Sequence, residues 1–243
     1  MSLPVFLLDP LPGAPTVRLD GPEGHHAATV RRLRVGEPLV LADGRGSRRV
    51  GRVSWVGRDE LDVACGPVEV IAEPDPRLVV VQALPKGDRA ELALELLTEL
   101  GADEIVPWAA QRSVVQWRGD RETKSLVRWR RTVLEAGKQS RRVRFPVVTD
   151  PVDLTGLIRR ITPAAAGLVL HEEATRGLPD VVLPAAGEVV VVVGPEGGIS
   201  PGELDALTAA GAVAVRMGAP VLRTSTAGGA ALAVLSARLG RWA

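Results

Sequence analysis

From residue 77 onward, short unbroken apolar runs alternate with segments whose apolar residues recur at helical spacing. RLVVVQAL (77–84), DEIVPWAA (103–110), PVVTD (146–150), AAGLVLHEE (165–173), the valine run at 188–193 and AVAVRM (212–217) predict strands. Between them, helices are predicted over 86–101, 121–142, near 153–161, over 200–210 and over 225–239. In the long helix, Leu126, Trp129 and Val133 share one stripe, and Arg128, Arg131, Lys138 and Arg142 share another. Strands this apolar are buried on both faces. Alternating strand and helix units therefore predict a parallel α/β sheet covered on both sides.

The first third has a different rhythm. PLVLA (38–42) and RRVGRVSWVG (48–57) flank the turn-forming stretch Asp43-Gly44-Arg45-Gly46, and ELDVAC (60–65) predicts another strand. EGHHAATVRRLR (23–34) predicts a short helix. Three prolines in GPVEVIAEPDPR (66–77) mark the change of pattern. The expected division is a small β domain over residues 1–73 and an α/β domain over 74–243.

One stretch of the second domain stands out. VVVVVGPEGGISPGE (189–203) is a buried strand, a glycine-rich turn and a helix start. Ser200 suits the N-cap, Pro201 the first helical position, and Glu203 the return contact to the cap's amide. Such a turn brings bare backbone up to a small ligand. HEEATRG (171–177) and MGAPVLRT (217–224) follow the preceding and the next strand of the chain in the same way. Open α/β sheets bind ligands beyond the carboxyl ends of their strands, so these three loops are expected to enclose one ligand.

Composition adds limits. An apolar content of 46% and a charged content of 24% predict a globular, soluble protein. The start, MSLPVFLLDPLPG, has no basic leader, and no apolar run approaches the roughly 20 residues of a membrane span. One cysteine, Cys65, allows no internal disulfide. A cytoplasmic protein without membrane contact is expected. Net charge is +1, but it is unevenly spread. Residues 25–52 hold seven arginines against two acids, residues 111–145 eleven basic residues against three acids, and residues 146–215 three basic residues against nine acids. The basic regions suit a polyanion; a solvated charged face is the alternative.

Several chemistries lack their motifs. There is no GxGxxG after a first strand, no complete phosphate-binding loop around Lys86-Gly87, and no GxSxG. Three histidines and one cysteine make a metal site an unsuitable expectation, and His25-His26 is assigned a surface role.

GPEGGISPGEL (194–204) followed by MGAPVLRTSTAGGAAL (217–232) resembles the paired signature loops of the SPOUT class of RNA methyltransferases, and most closely the ribosomal RNA small subunit methyltransferase E family. PKGDRAE (85–91), ELGADEIVPW (99–108), QRSVV (111–115), EAGKQSRR (135–142) and LVLHE (168–172) stand in that family's order. HHAATVRRLRVGEPLVLADGRG (25–46) resembles its PUA-like RNA-binding domain. The resemblance spans nearly the whole chain. Two departures are Ser225, where the family usually has glutamate, and Leu96-Leu97, where it usually has a lysine.

The resemblance implies a PUA-like β-barrel domain followed by a trefoil-knotted parallel-sheet domain, and a homodimer. The implied activity is S-adenosylmethionine-dependent methylation of N3 of a uridine in small-subunit ribosomal RNA, within an assembled or nearly assembled subunit. The rivals are a SPOUT enzyme for another RNA or atom, and an RNA-binding assembly factor without activity. The implied cofactor wall comprises Leu170, His171 and Glu172; Gly194, Pro195, Glu196, Gly197 and Gly198; Met217, Gly218, Val221 and Leu222; and Thr224 and Ala227. Arg223 is the candidate to stabilise the uracil anion or orient phosphate, or else pairs with Glu196 or another acid. Glu196 is the candidate base or sulfonium partner, or else fixes its loop. Arg31, Arg32, Arg34 and Arg45 are expected to hold RNA on the first domain, with Arg112, Arg141 and Arg142 nearer the active site. Trp108, Trp117 and Trp129 are possible stacking groups; the apolar stripe favours a core position for Trp129.

Overall fold

The N-terminal third makes short strands because its apolar residues alternate along them, as in Thr16–Leu19, where Val17 and Leu19 turn inward and Thr16 and Arg18 outward. The computed structural model describes residues 3–87 and 89–242. Met1, Ser2, Ala243 and the Asp88 of PKGDRAE lie outside the described residues. The first of two units takes the chain through Glu73 together with Gly137–Phe145. Its strands are β1 (Val5–Leu7), β2 (Thr16–Leu19), β3 (Pro38–Ala42), β4 (Ser47–Val56), β5 (Leu61–Cys65) and β6 (Glu69–Val70). They run in the order β1-β3-β4-β5-β2, with β6 also on β4. Among the described residues no ladder joins β1 to β2, so backbone hydrogen bonds do not close the barrel. Phe6, Leu19, Leu39, Leu41, Leu61 and Val63 form the core. The expected short helix is α1 (Gly21–His25) continued by one π-turn, His26–Val30.

Gly137–Phe145 was expected in the second domain and instead packs in the first unit. The helix predicted over 121–142 is α3 (Asp120–Gln139), and it stops where Arg141 takes a left-handed φ of 59°. The chain beyond pairs with the Asp43–Gly46 turn: the Gly46 amide donates to the Val143 carbonyl at 3.1 Å and the Phe145 amide to the Gly44 carbonyl at 2.8 Å. The Arg144 guanidinium donates to the Ile71 carbonyl at 2.8 Å.

The second unit takes Pro74–Ala136 and the chain from Pro146 onward. Its strands are β7 (Arg77–Ala83), β8 (Glu104–Trp108), β9 (Val147–Val148), β10 (Ala166–Leu170), β11 (Glu188–Val193) and β12 (Ala212–Val215). All adjacent pairs are parallel, in the order β12-β10-β11-β7-β8-β9. The helices besides α3 are α2 (Arg89–Glu99), α4 (Leu154–Ile161), α5 (Pro201–Ala209) and α6 (Thr224–Arg238). Because side chains alternate along a strand, the valine run serves both faces. Val189, Val191 and Val193 pack with α2, α3 and α6 residues such as Leu97, Trp129 and Leu232. Val190 and Val192 pack with Leu157 of α4 and Leu207 of α5. Among the described residues no helix is long and apolar enough to cross a membrane.

The start of α5 fixes the piece of this sheet that matters most for a ligand. The Ser200 hydroxyl accepts from the Glu203 amide at 3.3 Å, and Glu203 Oε2 accepts from the Ser200 amide at 3.0 Å, completing the expected capping box. Glu203 Oε1 also accepts from the Gln111 amide at 2.7 Å, so the same carboxylate holds the loop after β8. Glu203→Ala removes the box and strands the Gln111 amide. We expect a loss of about 2–4 kcal/mol in chemical denaturation, with Glu203→Gln losing less because it keeps an acceptor oxygen. An unchanged midpoint for Glu203→Ala would contradict this role.

Candidate active site

Strands β12, β10 and β11 lie side by side, so the loops at their carboxyl ends open on one edge of the sheet. The second loop is the tightest. A side chain on Gly194 would come within 2.7 Å of the Ile199 side chain. Gly198 takes a left-handed φ of 72°, and its amide donates to the Pro195 carbonyl at 2.9 Å, closing the turn. The first and third loops are stitched together by backbone bonds: His171 amide to Val215 carbonyl at 3.0 Å, Arg216 amide to Arg176 carbonyl at 2.8 Å, and Leu178 amide to Arg216 carbonyl at 2.9 Å. Thr224, at the start of α6, ties the third loop to the second. Its buried hydroxyl donates to the Gly194 carbonyl at 2.5 Å and accepts from Gln82 Nε2 at 3.2 Å.

These loops enclose a cleft of about 340 Å³, within the range of small-molecule sites. Leu170, His171 and Glu172 line it from the first loop, and Gly194, Pro195, Glu196 and Gly198 from the second. Met217, Gly218, Val221, Leu222 and Arg223 line it from the third, with Thr224 and Ala227 from α6. Gly197 was expected among them and is not among the lining residues; a side chain there would meet the Arg112 carbonyl at 3.1 Å, and Arg112 Nη1 donates to the Gly197 carbonyl at 3.3 Å. Five lining residues were missed among the candidates, namely Arg89, Val193, Ile199, Arg216 and Pro220. Arg89 sits in PKGDRAE, a segment tied to the family only by resemblance; its place opposite the 194–199 turn depends on β7 and β11 being neighbours, which local pattern does not reveal.

The charged groups divide into paired and unpaired. Glu196 Oε1 accepts from the Lys86 amide at 3.0 Å and lies 3.9 Å from Arg89 Nη1. Arg223 is exposed, its backbone caps α6, and its guanidinium has no ion pair among the described residues. The alternative of an Arg223–Glu196 pair is therefore not formed. Val221 is 74% exposed although apolar, which gives the cleft a greasy lip. Apolar surface beside cations and carboxylates suits a ligand with a flat apolar part and charged ends.

Arg31, Arg32 and Arg34 are exposed just beyond the π-turn and make no ion pair among the described residues, and Arg45 pairs with Asp9. Of the three arginines expected near the cleft, Arg112 belongs to the cleft's unit, whereas Arg141 and Arg142 belong to the first. Arg142 Nε donates to the Arg144 carbonyl at 2.8 Å. Trp108 and Trp129 are core residues; Trp117 is half-buried, edge-to-face on Trp129 at 5.0 Å. Among the described residues no three His, Cys, Asp or Glu side chains gather as a metal site.

Comparisons with known proteins converge on this arrangement. A family model described as an RNA methyltransferase domain matches residues 73–236, and one described as an RNA methyltransferase PUA domain matches 19–64. The ribosomal RNA small subunit methyltransferase E of Mycobacterium bovis is 48% identical, over 98% of this chain and 93% of that protein. The Bacillus subtilis protein of the same name is 31% identical, over 92% and 90%. The crystal structure of a ribosomal RNA small subunit methyltransferase E from Neisseria gonorrhoeae bound to S-adenosyl methionine superposes with a TM-score of 0.83 at 27% identity, covering 98% of each chain.

Thr224→Val keeps the shape of the tie and removes its hydroxyl. We expect about 1–3 kcal/mol of lost stability, a fall of several degrees in melting temperature. An unchanged melting temperature would mean that the hydroxyl does not hold the two loops together.

Proposed function

The chain belongs to the ribosomal RNA small subunit methyltransferase E family, and from that premise we propose that it methylates N3 of a uridine in small-subunit ribosomal RNA, with S-adenosylmethionine as donor. The observation that carries the reading is the cleft formed where β10, β11 and β12 end. Its residues fit the cofactor: the cleft has an apolar lip, three guanidinia and two carboxylates, and a side chain on Gly218 would meet only the Pro220 ring at 3.9 Å, so bare backbone borders open space there. Leu170, His171, Glu172 and the 194–198 and 217–224 loops would hold it. When bound, it supplies an electron-poor methyl group on a sulfonium sulfur.

The protein's task is then placement and charge. Uridine N3 carries a proton at neutral pH, and losing it puts negative charge on the uracil oxygens. Arg223 supports that charge: it has no ion pair among the described residues, borders the cleft and stands at the positive end of α6. His171, Glu172 and Glu196 are the cleft groups able to take a proton. Glu196 is anchored on the Lys86 amide, and this supports its role as a fixed negative charge facing the cofactor. Arg31, Arg32, Arg34, Arg45, Arg112, Arg141 and Arg142 would contact RNA phosphates, giving salt-dependent affinity and register. Family membership also supports a homodimer, a trefoil-knotted second unit, a cytoplasmic site of action, and a substrate in an assembled or nearly assembled subunit.

Arg223→Ala tests the assignment. Turnover on small-subunit RNA should fall about 100–1,000-fold, as for loss of one charge-stabilising donor, while calorimetric affinity for S-adenosylmethionine stays within about twofold. Equal losses in both would make Arg223 a cofactor-binding residue instead.

A further inference from the structure

The cleft has a side that the three strand-end loops do not supply. The strand order reverses between β7 and β11: β8 and β9 extend from β7 in one direction, and β10 and β12 from β11 in the other. Ligands in open parallel sheets favour such a crevice. Here it is bounded by the chain leaving β7 and by the 194–199 turn leaving β11. Arg89, the first residue of α2, lines the cleft from the β7 side. Glu196 lines it from the β11 side, and the Lys86 amide joins the two at 3.0 Å.

Arg89 Nη1 and Glu196 Oε1 are 3.9 Å apart, which is too long for a closed, bidentate pair. The Arg89 side chain is 47% exposed and that of Glu196 23%. The guanidinium therefore keeps donors to spare, and Glu196 keeps its second oxygen. A guanidinium and a carboxylate side by side are the charge complement of an α-amino acid, whose carboxylate accepts from arginine's fork and whose ammonium donates to a carboxylate. The other cleft cations do not offer this. Neither Arg216 nor Arg223 has a carboxylate partner among the described residues.

Resting on the reading that the cleft takes S-adenosylmethionine, we propose that Arg89 and Glu196 together recognise the amino-acid end of that cofactor. Arg89 takes its carboxylate and Glu196 its ammonium. This pair makes the site selective for ligands with that end over adenosine thioethers that lack it. Glu196 then holds two positions at once, fixing its turn through one oxygen and facing the ligand with the other.

The test is calorimetry on the whole protein with two ligands. S-adenosylhomocysteine has the amino-acid end and no sulfonium, so the sulfur's charge does not confound the comparison. 5′-Methylthioadenosine has the same adenosine thioether and no amino-acid end. Wild type should prefer the first by at least about tenfold. Arg89→Ala and Glu196→Gln should each weaken S-adenosylhomocysteine by about tenfold and leave 5′-methylthioadenosine within about twofold. Glu196→Gln keeps an oxygen for the Lys86 amide, so its turn should stay folded, and Arg89→Lys should retain part of the preference. Equal weakening of both ligands, or a preference that survives Arg89→Ala, overturns the proposal while leaving the cofactor reading intact. If wild type binds neither ligand, the cofactor reading fails, and the proposal falls with it.

Discussion

Glu203 is 5% exposed, and its carboxylate accepts from the Ser200 amide, the Ser200 hydroxyl and the Gln111 amide. A buried carboxylate costs several kcal/mol unless its lone pairs are occupied; here three donors occupy them. The consequence is geometric. The α5 start, the turn before it and the loop after β8 share one anchor, so the 194–199 turn has a fixed place at the end of β11. Arg112 then lies on Gly197, and the Gly194 carbonyl is in reach of Thr224. A cleft made of three loops would otherwise depend on loop flexibility. This one is held by polar bonds centred on the buried Glu203 and Thr224 side chains.

The charge arrangement follows from the same frame. The turn holds Glu196 at the strand-order reversal, against the Lys86 amide and near Arg89, while the start of α6 presents Arg223 with no ion-pair partner among the described residues. Separating a paired carboxylate from an unpaired guanidinium gives the cleft two electrostatic ends. That suits a reaction in which a positively charged methyl donor and a developing uracil anion meet. Preorganised charges of this kind act without reorganisation during the reaction.

Much of this is local in origin, and local features are legible in sequence. The capping box at Ser200–Glu203, the valine strand and the Leu126–Trp129–Val133 stripe depend on residues within a few positions of each other, and each has the form its pattern predicts. What needed the fold was non-local. The pairing of Gly137–Phe145 with the 43–46 turn joins segments about a hundred residues apart, and a helical stripe running on to Arg142 concealed it. Arg89 enters the cleft only because β7 pairs with β11, 111 residues on at Arg77–Glu188. Gly197 looked like part of the ligand wall by its neighbours, and the loop carrying Arg112 covers it. Ser225, where the resembling family usually has glutamate, is buried at the start of α6, and nothing in the structure explains that exchange.

The central claim is that this cleft methylates a uridine of small-subunit ribosomal RNA, and the modified base itself is the most direct readout. Small-subunit RNA from a strain lacking this protein should lose one N3-methyluridine, as read by mass spectrometry of mapped fragments. Wild-type protein supplied in trans should restore it, and Arg223→Ala should not. An unchanged N3-methyluridine content in the deletion strain would contradict the account.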